Sequence, residues 1–387
     1  MEVMTNDELL SKTISYLRFP LTVGVVFIHF NIAKEGFSMH GIKYGLDNPD
    51  WYYYFIKFFS DVLPRIGVPL FFIISGFLFF YRKDFNGVVY KQKLKTRVRT
   101  LLVPFFLWNV LAILLTASHK LPFLSSVFPN GYKTEFHFSL IRIFNTFFAN
   151  LKNEGIFVTP ITDELAEVSQ MPFPIDVPLW YVRDLMVMIL LSPIIYWMIQ
   201  RLGKWFIVAL GIVWYFYQAL FLPDGGWTAL LSHATFFFSW GAYYSINKQN
   251  FVLTMEKYRY APWFYIPIAI ADTLTKGTDY NIFIHEAGIL VGIVAAVVIV
   301  SYLLRSGKTK VNDTLANCSF FVFALHTLIM NDFGKLLFTV LHLPDNTFAM
   351  LFLYIVVPTL TIFLCVILYV VLKRYAPSVC SLLTGGR

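Results

Sequence analysis

The chain has 387 residues, of which 57% are hydrophobic and only 14% charged, with a mean hydropathy of +0.63. A soluble domain carries about 25% charged residues, so this composition excludes an ordinary soluble enzyme. The 19% aromatic content excludes a disordered or collagen-like chain, and three cysteines, Cys318, Cys365 and Cys380, show neither a disulfide framework nor metal-ligand spacing.

Length alone would suggest two or three domains, but 57% of 387 is about 221 apolar residues, enough for roughly ten spans of ~20 residues. The expectation is therefore one all-α polytopic membrane domain over 1–387. Apolar runs of spanning length fall at 16–33, 64–81, 101–118, 179–199, 205–222, 229–246, 260–274, 282–304, 315–338 and 347–372. The 260–274 run is short and interrupted by Pro262 and Pro267. Met1–Lys12 is polar and acidic, without a basic n-region or cleavage pattern, so the first span reads as an uncleaved anchor. No internal repeat or low-complexity segment is visible.

Ionisable groups within a span are costly and mark functional sites by default. In the first span Arg18 and His29 are eleven residues apart, which places them about 20° apart on a helix face and ~16 Å apart along its axis. One stripe then carries a cation at the inner boundary and an imidazole in the outer half. A snorkelling arginine and an interfacial histidine fit the same residues. The second span carries Ser75-Gly76, a membrane hydroxyl on a surface suited to close helix packing. Ser75 is not in a nucleophile-elbow sequence. Inward of it, Lys93-Leu-Lys-Thr-Arg-Val-Arg leads into the third span with more positive charge than topology requires, which suits a phosphate-bearing ligand or anionic lipid headgroups.

The stretch 119–178 contains Pro122, Pro129, Asn130-Gly131, an aromatic amphipathic segment at 136–150 and an acidic run at 163–167, and is expected to form a lid or interfacial helix. The fourth span then opens with Leu179-Trp-Tyr-Val-Arg-Asp-Leu, putting Trp180, Arg183 and Asp184 near the depth of His29. There a carboxylate would orient an imidazole, or the Arg183–Asp184 pair would simply neutralise itself. His285-Glu286 enters the eighth span at similar depth with no further support. In the ninth, Ser319, Phe323 and His326 fall at i, i+4 and i+7 on one face, where a histidine either packs or acts. His40, His119, His137 and His342 lie in or beside outer loops without spacing signals. No metal-ligand cluster or glycine-rich phosphate loop is present.

The pI of 9.2 and net charge of +8 are compatible with nucleic acid, but the distribution of charge argues otherwise. With the first connecting loop outside, 20 of the 31 basic residues fall in the segments that alternate inward, although two of the outward loops are the longest. This bias predicts both termini in the cytoplasm and no nucleic-acid partner.

Taken in order, these segments resemble the integral-membrane acyltransferase 3 family, whose bacterial members O-acylate surface polysaccharides, peptidoglycan and related glycans. The resemblance rests on Arg18-x10-His29, Val68-Pro-Leu-Phe-Phe-Ile-Ile-Ser-Gly-Phe77, the basic run ending Leu-Leu-Val-Pro-Phe-Phe, Leu179-Trp-Tyr-Val-Arg-Asp-Leu, and Ser319 through His326, and spans nearly the whole chain. The family's Arg-x-x-Arg motif is half present: Arg97 aligns, but its partner position is Thr100, with Arg99 beside it.

The resemblance implies a multi-pass protein of the bacterial inner membrane, surrounded by lipids and with no permanently bound cofactor. It would take an acyl group, acetyl in the first instance, from cytoplasmic acyl-CoA to a glycan or lipid-linked saccharide. His29 would be the general base or a transient acyl carrier, with Asp184 or Arg183 orienting it or the acceptor. Arg18, Arg97 and Arg99, with Ser75, would hold the donor, arginine suiting phosphate by bidentate hydrogen bonding. Trp180, Ser319, His326 and Glu286 are the expected acceptor-side residues. No appended extracytoplasmic domain is expected, which leaves acceptor selection to 34–63 and 119–178. A glycolipid or polymer flippase, using buried ions as gates, is the competing class, and the lack of inverted repeats weighs against it. A partner protein with lapsed catalytic residues is a third. Nothing in the sequence specifies an oligomeric state.

Overall fold

The computed structural model describes residues 4–33, 36–39, 42–82, 84–118, 135–149, 155–158, 173–221 and 227–386. They form an all-α membrane bundle. In chain order, α1 (Asn6–Ile28) is followed by a short antiparallel hairpin, β1 (Phe37–Met39) and β2 (Ile42–Tyr44). A single helical run then covers Asp50–Phe80. It comprises α2 (Asp50–Lys57), a π turn at Phe58–Val62, a 3-10 turn at Leu63–Ile66 and α3 (Gly67–Phe80). A second run, Gly87–Ser118, joins α4 (Gly87–Arg97) to α5 (Val103–Ser118) through a π turn at Val98–Leu102. Next come β3 (Glu135–Phe136), α6 (Leu140–Phe148) and β4 (Phe157–Val158), with β3 pairing antiparallel to β4. The remaining helices are α7 (Trp180–Leu202), α8 (Lys204–Phe221), α9 (Trp227–Ile246), α10 (Phe251–Glu256), α11 (Ala261–Leu274), α12 (Asn281–Arg305), α13 (Asp313–Val340), α14 (Thr347–Tyr375) and α15 (Pro377–Thr384).

Among the described residues, six runs are long and apolar enough to cross a membrane: Asp50–Phe80, Gly87–Ser118, Val177–Leu202, Asn281–Arg305, Asp313–Val340 and Thr347–Tyr375. Six of the ten segments expected from sequence fall on these runs. The other four overlap α1, α8, α9 and α11, with α1 beginning ten residues before the expected 16–33 and ending at Ile28. Helix α11 has 14 residues, about 21 Å at 1.5 Å per residue, so it falls short of a ~30 Å hydrocarbon core.

Helix ends follow their local chemistry. Thr5 accepts from the Glu8 amide to start α1, Asn312 accepts from Leu315 to start α13, and Asn346 accepts from Ala349 to start α14. Small residues then set the packing. A Cβ at Gly76 would strike the Phe238 carbonyl and one at Gly241 the Ile73 carbonyl, so α3 and α9 touch backbone to backbone. This supports the packing role read for Ser75-Gly76 and leaves the Ser75 hydroxyl at the edge of the contact.

Of the 119–178 stretch, the described part contains the amphipathic helix that the sequence suggests. Ser139 accepts from the Arg142 amide to start α6, which exposes Leu140, Ile141, Ile143 and Phe144 while Thr146 is buried. An exposed apolar stripe on a short helix beside a membrane bundle suits an interfacial position. The acidic run 163–167, Pro122, Pro129 and Asn130-Gly131 lie outside the described residues.

Candidate active site

Four helices bring the inner residues together. Arg18 from α1, Ser75 from α3, Arg97 from the end of α4 and Ser319 from α13 line one internal cavity of about 300 Å³, along with Tyr181 of α7 and Phe71 and Phe323. Ser319 and Phe323 share a wall because they are one helical turn apart. Both arginines are half-buried, and among the described residues no acidic side chain offsets either charge. Two uncompensated cations at an internal cavity call for an anion from outside the chain. Arg99 is exposed and does not line the cavity.

Aromatic rings also line the cavity. Tyr181 Oη donates to the Phe71 carbonyl at 3.3 Å and lies 2.8 Å from Ser75 Oγ, so the serine hydroxyl is left to donate to the phenol. Phe323 stands edge-on to Tyr181, with ring centroids 6.0 Å apart. Phe323 is then 6.4 Å from His326, and His326 is 5.2 Å from His29, centroid to centroid. The inner cavity and the two imidazoles are thus separated by one aromatic layer.

His29 caps the C-terminal end of α1. His326 is fully buried, and its Nδ1 lies 3.1 Å from the Val322 carbonyl. A carbonyl can only accept, so Nδ1 carries a proton. Its Nε2 has no hydrogen-bond partner among the described residues. In the neutral ring that atom is a basic lone pair held beside His29.

Arg183 and Asp184 are both buried and joined to each other, Arg183 Nε to Asp184 Oδ1, at 2.7 Å. Arg183 also donates to the Phe148 carbonyl at 2.6 Å, tying α7 to α6. Arg183 thus links Asp184 to α6. Trp180 is half-buried between Phe72 and Phe173.

Glu286 is buried, with Oε2 unpartnered among the described residues. Beside it lies a cluster to which Asp272 and Lys276 contribute. Asp272 Oδ2 is 2.8 Å from His285 Nδ1, Asp272 Oδ1 is 2.8 Å from Lys276 Nζ, and Asn281 Nδ2 donates to Asp272 Oδ1 at 2.9 Å. A second cluster surrounds Asp61 on the π turn of the Asp50–Phe80 run. It accepts from Asn31 Nδ2, Lys57 Nζ and Arg65 Nη2, each at 2.7 Å. Asn31 follows His29 by two residues, which ties the end of α1 to this cluster. Sequence inspection passed over Asp61, Asp272 and Lys276, although Lys57-Asp61-Arg65 and Asp272-Lys276 are visible as i, i+4 ion-pair spacings.

The family model described as an acyltransferase domain, acyltransferase 3, matches residues 12–370. The chain belongs to the acyltransferase 3 family. It is also 27% identical over 390 residues to the succinoglycan biosynthesis protein ExoH of Rhizobium meliloti (strain 1021), covering 98% of this chain and 94% of that protein. No solved structure matches the chain. The family match encloses every residue named above, from Arg18 to His326, so the cavity and the paired histidines lie within the acyltransferase domain. Among the described residues no group of three or more His, Cys, Asp or Glu side chains is placed to hold a metal ion.

Proposed function

We propose that this acyltransferase moves a short acyl group from acyl-CoA, entering from the cytoplasm, to a hydroxyl of a cell-surface glycan or its lipid-linked precursor. The observation that carries the reading is the alignment of the cavity with the paired histidines. Arg18 and Arg97 stand at one end without counter-charge, and one aromatic layer beyond the other end stand His326 and His29. Coenzyme A has the matching form, with phosphates at one end of a long uncharged arm and the thioester at the other.

In this reading the arginines hold the diphosphate, and the pantetheine arm runs past Ser75, Tyr181 and Phe323. The separation of Arg18 from His29 along α1, ~16 Å, is the span the arm has to bridge. The acceptor hydroxyl gives its proton to His29 as its oxygen attacks the thioester carbonyl. The carbon–oxygen bond forms, the carbon–sulfur bond breaks, and the CoA thiolate leaves and takes the proton back from the imidazolium. His326, with its proton fixed on Nδ1, offers Nε2 to the N–H of His29 or to the acceptor hydroxyl. A bulky saccharide stays on the outer side, where the Asp61 and Asp272 clusters and Glu286 provide hydrogen-bonding groups. That the similar ExoH is named for succinoglycan biosynthesis supports a polysaccharide acceptor here.

The reading is tested with purified protein in proteoliposomes, radiolabelled acyl-CoA of several chain lengths, and glycan or lipid-linked saccharide. Label should pass to the saccharide with release of free CoA. Absence of both CoA binding and label transfer across the donors and acceptors would sink the reading.

A further inference from the structure

A second cavity, of about 620 Å³, opens at the end of the bundle that the basic residues mark as cytoplasmic. Its position relative to the inner cavity follows from three helices. Asp7 and Arg18 on α1 are eleven residues apart, while Ile189 and Tyr196 on α7, and Phe238 and Ser245 on α9, are seven apart. At 100° per residue each pair returns to within about 20° of the same helix face, displaced by ~10–16 Å along the axis. The same three faces therefore line first one cavity and then the other, which places the second directly below the arginines.

We infer that this lower cavity seats the purine nucleoside end of the thioester donor, an inference that rests on the acyl-CoA reading above. Its volume lies within the range of small-ligand sites. Its charges are internally balanced, since Arg82 pairs with Asp7 at 3.3 Å and Lys248 lies 4.0 Å from Asp84. The neutral adenine suits the balanced interior, the diphosphate is left to Arg18 and Arg97, and the ribose 3′-phosphate of CoA falls to the exposed cations Arg82 and Lys248 at the rim. The walls offer aromatic surface for stacking: Phe85 stands 4.9 Å from Phe80 and 5.0 Å from Tyr196, centroid to centroid.

The test compares two donors, acyl-CoA and the corresponding acyl-pantetheine, which lacks the nucleotide. In Tyr196→Ala the KM for acyl-CoA should rise about tenfold, the scale of one lost base–aromatic contact, with kcat within about twofold. The KM for acyl-pantetheine should stay at the wild-type value, and Tyr196→Phe should restore acyl-CoA use. Gln200→Ala, on an exposed position one turn along, should show a smaller effect with the same donor selectivity. Equal losses with both donors, or no change with either, would overturn the inference. Failure of the wild-type protein to bind CoA or use either donor would overturn the acyl-CoA reading and this inference with it.

Discussion

The imidazoles of His29 and His326 face each other across the α1–α13 contact, with ring centroids 5.2 Å apart and planes inclined by 51°. Two adjacent imidazoles do not both carry charge readily, and His326 is already committed as an Nδ1–H donor to Val322. In the proposed mechanism His29, at the end of its helix, is the ring that takes and returns the proton. His29→Ala should lower acyl transfer by about 10²- to 10⁴-fold, the range of general-base catalysis, while CoA binding and expression persist. His326→Gln should cost less, about ten- to a hundredfold in kcat, with KM for the donor little changed. Full transfer activity in His29→Ala would rule out this mechanism.

The arginines divide by position and not by sequence neighbourhood. Arg97 lines the cavity with Arg18, whereas Arg99 points away from it. A hydrogen bond to a charged group is worth ~1.5–3 kcal/mol, so Arg97→Gln or Arg18→Gln should weaken CoA binding by about ten- to a hundredfold. Wild-type affinity should fall as salt rises, because screening weakens the phosphate contacts, and should fall less steeply in each variant. Arg99→Gln should leave affinity within about twofold. Isothermal titration with CoA at two ionic strengths checks all three, and an Arg99 effect equal to that of Arg97 would contradict the assignment.

Much of this inner site was legible in the sequence because its residues lie on regular helices with motif spacing. Arg18, Ser75, Arg97 and Ser319 were each singled out, and they do meet at one cavity. Which of Arg97 and Arg99 joins Arg18 was not legible. The π turn at Val98–Leu102 begins directly after Arg97, so ordinary helical spacing no longer says which of Arg97 and Arg99 faces inward. Asp61 escaped for a similar reason, as it stands on a π turn before the apolar run that defined the second span. The destination of Arg183 and Asp184 was also hidden, since it depends on α6 folding back to offer the Phe148 carbonyl.

The π turn that follows Arg97 and the start of α5 are contacted by the end of α15 and the glycine after it. Trp108 Nε1 donates to the Leu383 carbonyl at 3.0 Å, and Gly385, at φ 67°, lies so close to Thr100 that a Cβ would strike the Thr100 carbonyl. Gly385→Ala meets both a left-handed backbone cost of ~1–3 kcal/mol and that collision. The expected result is a lower apparent Tm and a several-fold weaker affinity for CoA, since Thr100 stands on the π turn between Arg97 and α5. Trp108→Phe, which loses one hydrogen bond worth about 1 kcal/mol, should show both effects more weakly. If Gly385→Ala lowers Tm while CoA affinity stays at the wild-type value, the segment supports the bundle alone.

Asp176, just ahead of the Val177–Leu202 run, offers a test of stability against pH. It is fully buried, its Oδ1 accepts from Thr327 at 3.1 Å, and its backbone N–H donates to Asn109 Oδ1 at 3.3 Å. Burial raises its carboxyl well above the ordinary range, and the Thr327 hydrogen bond only partly opposes this. The folded state therefore keeps the proton at pH values where the unfolded chain has released it. By linkage, stability falls as pH rises from the unfolded value, about 3.9, until the folded group also ionises, and is flat above that. Asp176→Asn keeps an acceptor for Thr327 and removes the titration. Its apparent Tm in detergent should equal that of the wild type at pH 4 and exceed it at pH 7, so that the difference between the two proteins grows with pH. A constant difference across that interval would show that Asp176 does not carry a buried proton.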